Sequence, residues 1–361
     1  MQRTAPSQRA APSAGARQRA AAGASRPAAF PLALGLLVAS VLLGTAIGPV
    51  SLGPLEVIKV LGQHLLPLDI RVSDVSDAIV WDIRLPRVLL AGLVGGTLAY
   101  SGGAYQGVFR NPLADPYLLG VAGGAGLAAT VVIILGLPST VAHVSLITIA
   151  AFGGAVVAVF LTYAIARVAG HAPATTLILA GVAVSSLASS AISYLMLVDQ
   201  RSTTSILVWL LGGFNGRGWQ QMWFIVPYTL PAAATIFLHG RFLNVLQLDE
   251  DQAQQLGVNV ERTKVTVLLA ASLAAAAAVS VAGIIGFVGL IVPHAVRLLA
   301  GPDYRRLLPL AALVGASFLI LADMGARTLV SPGEVPVGVI TAFVGAPFFL
   351  YLLRRQRKAF F

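Results

Sequence analysis

The feature that most constrains this chain is a series of long apolar runs that almost no charge interrupts. They fall at Phe30 to Val50 and at about 86–108, 116–136, 142–168, 174–198, 219–239, 262–282, 283–299, 305–328 and 336–353. A run of about 20 apolar residues matches the thickness of a hydrocarbon core of about 30 Å. Lipid offers backbone groups no partner, so a run of that length satisfies them as a helix. The expected fold class is therefore an all-α polytopic membrane protein of about ten transmembrane helices. The break between the seventh and eighth runs is placed at Ala282-Gly283-Ile284-Ile285-Gly286, and Pro293 is expected to interrupt the second of them.

Composition agrees. Of 361 residues, 57% are apolar and 11% charged, with a mean hydropathy of +0.85, whereas soluble chains carry about 25% charge. The chain has no cysteine, which excludes disulfide frameworks, thiolate metal sites and cysteine nucleophiles. The first run is too long for a cleaved signal peptide and is expected to remain as a span. Before it, residues 1–29 have a composition too poor in large apolar groups to fold, and form an expected disordered cytoplasmic tail. Residues 30–355 form the expected membrane domain and 356–361 a basic cytoplasmic end.

Most of the net charge of +10 comes from Arg3, Arg9, Arg17, Arg19 and Arg26 and from Arg354, Arg355, Arg357 and Lys358. Such tails suit an anionic membrane surface; no basic stripe or aromatic platform continues into the body, so nucleic acid is not expected as a partner. An even span count puts both tails on one side. With that side cytoplasmic, only Lys59, Arg71, Arg84, Arg87, Arg201, Arg217 and Arg327 of the 24 Lys and Arg lie outside, as the positive-inside rule favours.

Between spans, the outer segment 51–85 is expected to hold one or two short interfacial helices. The longest inner loop contains Leu248-Asp249-Glu250-Asp251-Gln252-Ala253-Gln254-Gln255-Leu256-Gly257, with acidic residues at one end and Gly at the other, the start and stop signals of a short helix. Gly92 and Gly96, Gly103 and Gly107, and Gly120 and Gly124 are each four apart, which favours close helix packing. A faint echo between 111–118 and 301–308 fits a duplicated half.

Catalytic chemistry is sparse. Lys59, Lys264 and Lys358 are the only lysines and none follows Gly, so no Walker A loop exists. His64, His143, His171, His239 and His294 show no metal-ligand spacing, and neither a metal nor a cofactor is expected. Asp323 and Arg327, at i and i+4, can pair across one helix face and hold its outer end. His294, beside Pro293, is expected to be satisfied at a helix break. Ser186, Ser190 and Ser193 form one stripe on the fifth span, either a packing seam or the wall of a wet pathway.

Four motifs resemble the FecCD family of ABC importer membrane subunits. They are Arg84-Leu85-Pro86-Arg87, the run from Phe109 through Asn111-Pro112-Leu113-Ala114-Asp115-Pro116 to Gly120, Gly286-Phe287-Val288-Gly289-Leu290-Ile291-Val292-Pro293-His294, and Pro336 to Ala342 followed by Gly345-Ala346-Pro347. The resemblance covers about residues 30–355 and implies a ten-helix permease of the bacterial inner membrane, itself not an enzyme. It further implies pairing with a second copy, two cytoplasmic ATPase subunits and a periplasmic binding protein. On that resemblance Asp249, Glu250, Asp251, Gln252, Ala253, Leu256 and Gly257 couple to the ATPase, although the family usually reads Leu-Gly-Glu-Glu-Val-Ala near the start of this segment. Arg84, Arg87 and Arg327 are implied to dock the binding protein, and the Ser186, Ser190 and Ser193 stripe is implied to line the pathway. The expected cargo is an iron chelate, haem in preference to a ferric siderophore, with cobalamin the alternative. An ion-coupled secondary transporter and a membrane-embedded enzyme are the rivals; both need buried ionisable residues that this chain largely lacks.

Overall fold

The computed structural model describes residues 28–360 except 49, 51, 67–71, 138–139, 142–143, 169–172, 249 and 331–332. Most of the expected amino-terminal tail and Asp249 thus lie outside the described residues. Helices occupy all ten expected runs. In chain order they are α1 (Ala29–Ala46), the short α2 (Pro54–Leu65) and α3 (Asp74–Asp77), α4 (Leu85–Phe109), α5 (Val121–Leu135), α6 (Leu146–Val168) and α7 (Ala174–Val198). Then come α8 (Thr203–Leu210), α9 (Trp219–Leu238), α10 (Gly240–Val245), α11 (Glu250–Gln255), α12 (Val260–Ala282), α13 (Val288–Ala300), α14 (Tyr304–Thr328) and α15 (Val337–Phe360). Of these, α1, α6, α7, α9, α12 and α14 are long and apolar enough to cross a membrane by length and composition. The last helix runs on through the basic segment expected to lie beyond it.

The two expected interfacial helices are α2 and α3, the second extended by a wide π-helical turn over Ala78–Arg84. Pro86 has no N–H for the Asp82 carbonyl, and the chain enters α4 through this turn, with the Leu85 N–H donating to Val80. The ring of His64 stacks on Trp81 at 4.0 Å and its Nε2 lies 2.8 Å from Asp77, while the Trp219 indole donates to the Trp81 carbonyl at 3.2 Å. A two-residue antiparallel ladder, Thr140–Val141 with Val144–Ser145, joins α5 to α6 and had no sequence signal.

The centre of the bundle is α4, packed along α14 and α12. Its glycines permit this: a methyl on Gly95 would strike the Gly315 carbonyl, and one on Gly102 the Gly289 carbonyl. The expected pairs also mark contacts, since Gly92 faces Ile320, Gly107 faces Tyr304 and Gly124 meets Gly154.

Two helices are too short to cross a full core. With 15 and 13 residues, α5 and α13 reach about 22 and 20 Å. Both start at the middle depth of α4, where Gly289 packs on Pro116 and the Leu98 carbonyl. Irregular backbone at that depth is tolerated only when buried in protein. The Tyr117 hydroxyl accordingly donates to the Ile285 carbonyl at 2.9 Å, joining the two breaks.

The break between α12 and α13 falls at 283–287 as expected, but Pro293 does not interrupt α13. Proline denies an N–H to the Gly289 carbonyl four residues back. Gln106 Nε2 supplies the missing donor, 3.3 Å from the Gly289 oxygen and 3.2 Å from that of Leu290. His294 therefore sits inside a continuous helix, and neither ring nitrogen has a partner among the described residues. This corrects the expectation of a satisfied group at a break.

Candidate translocation pathway and its two ends

The bundle has two ends. The tail end carries the start of α1, the close of α4, α10, α11 and the start of α14; there Asn244 Oδ1 accepts the Tyr304 N–H at 2.9 Å. The far end carries the close of α1, α2, α3, α8 and the starts of α4, α9 and α15.

At the far end the arginine pair of the sequence reading becomes a cluster. Asp323 is fully buried; it accepts Arg87 Nη2 at 2.8 Å and Arg327 Nε at 3.0 Å. Arg87 also forks onto Glu334, both contacts at 2.9 Å. The remaining donors of Arg327 reach the Gly44 and Ile47 carbonyls, and Arg84 donates to the carbonyls of Thr45, Ala46 and Val50. The Asp323 and Arg327 pairing is as expected. Within one chain, Arg84, Arg87 and Arg327, the residues the resemblance assigned to docking, are 4%, 8% and 3% exposed. Their donors already bind the ends of α1, α14 and the segment before α15, so they clamp helices together rather than offer exposed charge.

Beside this cluster opens a cavity of about 710 Å³. Its wall comes from α8 (Thr204, Ser205, Val208, Trp209), the loop Gly212 to Arg217, the Ala282-Gly283 turn and the Glu334-Val335-Pro336 approach to α15. Backbone bonds fasten these pieces: Gly213 N–H to the Ala282 carbonyl at 2.8 Å, Val337 N–H to Gly212 at 3.0 Å and Gly338 N–H to Leu211 at 3.1 Å. Gly212 has a φ of +69°, and a side chain there would meet the Ile284 carbonyl. Neither α8 nor the cavity was foreseen. The available signals were the apolar run from Ile206 to Leu211 after a polar turn and an Arg within Gly212-Gly213-Phe214-Asn215-Gly216-Arg217-Gly218.

On α7, Ser186, Ser190 and Ser193 are exposed together with Leu179, Leu187 and Tyr194. Ser193 donates to the Ser189 carbonyl at 3.0 Å. The stripe thus lies on a face that none of the other described residues covers, which argues against a packing seam within them.

At the tail end, α11 is the short helix expected in the long loop. It closes in a tight cap: Gly257 has a φ of +80°, its N–H donates to Gln254 and that of Val258 to Ala253. Ala253 is buried and roots the helix, while Gln252, Gln254, Gln255 and Leu256 are exposed, Leu256 by 64%. An exposed leucine at the end of a rooted helix is a ready contact for a partner.

Long apolar helices, backbone breaks buried at mid-depth, a cavity at one end and a presented short helix at the other define a multi-pass membrane permease. The FecCD transport family matches residues 36–355. The chain belongs to that family and is an ABC importer permease of its type. It is 46% identical over 316 residues to the cobalamin import system permease protein BtuC of Halobacterium salinarum, covering 88% of this chain and 84% of that one. Against the hemin transport system permease protein HmuU of Yersinia pestis the identity is 42%, over 77% of this chain and 84% of that one. Its fold matches an ABC transporter of the metal-chelate type in an inward-facing conformation, with a TM-score of 0.76 and 33% identity, covering 91% of this chain and 98% of that one.

Proposed function

We propose that the chain carries an iron chelate, haem in preference to a ferric siderophore, into the cytoplasm as half of a homodimeric permease. Cobalamin is the alternative cargo, and the similar relatives include permeases named for cobalamin and for hemin. The observation that carries the reading is the uncovered serine face of α7. Beyond the Ser193 bond to its own helix, three hydroxyls on one uncovered face suit water better than lipid, and a second copy across that face encloses them in a wet path. The far-end cavity opens toward a periplasmic binding protein and α11 toward two ATPase subunits; Asp249, Glu250 and Asp251 extend that contact. Both termini are cytoplasmic, as the distribution of Lys and Arg favours. ATP hydrolysis belongs to the partner, since this chain has no Walker A loop.

Reconstitution with its ATPase and binding protein, followed by uptake of haem, a ferric siderophore and cobalamin side by side, tests the proposal. ATP-dependent uptake of haem or siderophore supports it. Uptake of cobalamin alone establishes the alternative, and uptake driven by an ion gradient without ATP overturns both.

A further inference from the structure

The far-end cavity contains a cation that none of the described residues neutralises. Arg87, in one part of the wall, is matched by Glu334 and Asp323. The half-buried side chain of Arg217, in another part, makes no hydrogen bond or ion pair among the described residues, and burial pushes its pKa below the ordinary arginine value. It is not a loose surface side chain. Its backbone N–H donates to the Phe214 carbonyl at 3.1 Å, Phe214 is fully buried, and the next residue, Gly218, donates to Gln221 at 2.9 Å.

A second donor on the same wall is equally unused. The indole N–H of Trp209 is buried without a partner among the described residues. A half-buried guanidinium set in a cavity wall without a counter-charge among the described residues is not explained by packing. The carboxylate of Glu334, on the opposite part of the wall, is already held in the fork of Arg87. What this wall leaves open is therefore donor capacity, which suits an acceptor of negative charge.

We propose that Arg217 receives a carboxylate arm of the cargo, so that the cavity selects chelates bearing carboxylates. This inference rests on the permease reading and names its specificity element. A guanidinium suits the task because its planar fork takes a carboxylate or phosphate through two parallel bonds.

The chain has no cysteine, so a single reporter thiol can be placed in the cavity. Ser205 is exposed and lines the same wall. The full chain carrying Ser205→Cys, in lipid nanodiscs, is to be titrated with an anionic and a cationic methanethiosulfonate reagent. The anionic reagent should react about tenfold faster, as local positive potential concentrates counter-ions. Arg217→Gln should remove that preference. Haem and ferric citrate, both bearing carboxylates, should protect the thiol in the Arg217 background and lose that protection with Gln, while cyanocobalamin, neutral in net charge and without a carboxylate, should behave alike in both. Equal rates for the two reagents, or protection by the anionic chelates that is absent with Arg217 or survives Arg217→Gln, overturns the assignment. The readout needs no ATPase, so failure of uptake in the reconstituted complex is a separate result that bears on the cargo alone.

Discussion

Gln106 stands where Pro293 leaves a carbonyl open: its side-chain N–H donates to the Gly289 and Leu290 oxygens, and Arg297 Nη2 returns 3.2 Å to its Oε1. One amide of α4 thus completes the ladder of α13 at a depth where water cannot. It also ties that helix to Arg297, which reaches the Tyr304 hydroxyl at 3.1 Å at the start of α14.

Replacing Gln106 by Leu should cost about 1–3 kcal/mol, the penalty of leaving a buried acceptor unpaired. Pro293→Ala restores an N–H to the same carbonyl, so the two changes should couple, the double variant being less destabilised than the sum of the singles. Thermal unfolding of the four proteins in detergent measures this. Additive effects would mean that the amide does not substitute for the proline's missing donor.

Asp323 pairs with two buried guanidiniums, and Asp323→Asn should leave Arg327 without a counter-charge and Arg87 with Glu334 alone, costing about 3–5 kcal/mol. Glu334→Gln touches only Arg87 and a carboxylate whose side chain is 26% exposed, so its cost should be clearly smaller. Folded yield and melting temperature of the two variants rank them. The reverse order would place the weight of the clamp on Glu334.

The far end also shows what was legible from sequence. Apolar length identified the spans because lipid leaves an apolar run one solution, and the i, i+4 spacing of Asp323 and Arg327 identified their pair. The third member, Arg87, lies far away along the chain, and only the approach of α4 to α14 through Gly95 and Gly315 joins them. Sequence grouped Arg84, Arg87 and Arg327 at the end opposite the tails, where the structure has them, but could not distinguish exposed from buried charge. The same limit hid Arg217, which has no paired residue at helical spacing, and α8, whose apolar run is too short to stand out beside the spans.

At the tail end, Leu256→Asp should abolish substrate-stimulated ATP hydrolysis by the assembled complex while leaving dimer assembly intact, because the residue is exposed and supports no core. Gly257→Val should weaken coupling by another route: a β-branched residue at a φ of +80° is strained, and the cap that ends α11 would loosen. Hydrolysis rates with and without loaded binding protein read both effects. Unchanged stimulation in both variants would move the ATPase contact away from α11.

The serine face of α7 gives the last prediction. Ser186, Ser190 and Ser193 are exposed within one chain, so either lipid, a dry dimer seam or a wet dimer axis covers them. Single cysteines at the three positions, assembled into the complex in nanodiscs, should react with a membrane-impermeant thiol reagent, whereas a cysteine at Phe160, exposed on the neighbouring α6, serves as the lipid-facing control. The wet-axis arrangement expects reaction at the serine positions and little at Phe160→Cys. It also expects the rates to change when ATP is trapped on the partner, because alternating access opens the path to one side at a time. Protection of all three positions in every nucleotide state would instead make the stripe a packing seam between copies, with the cargo passing elsewhere.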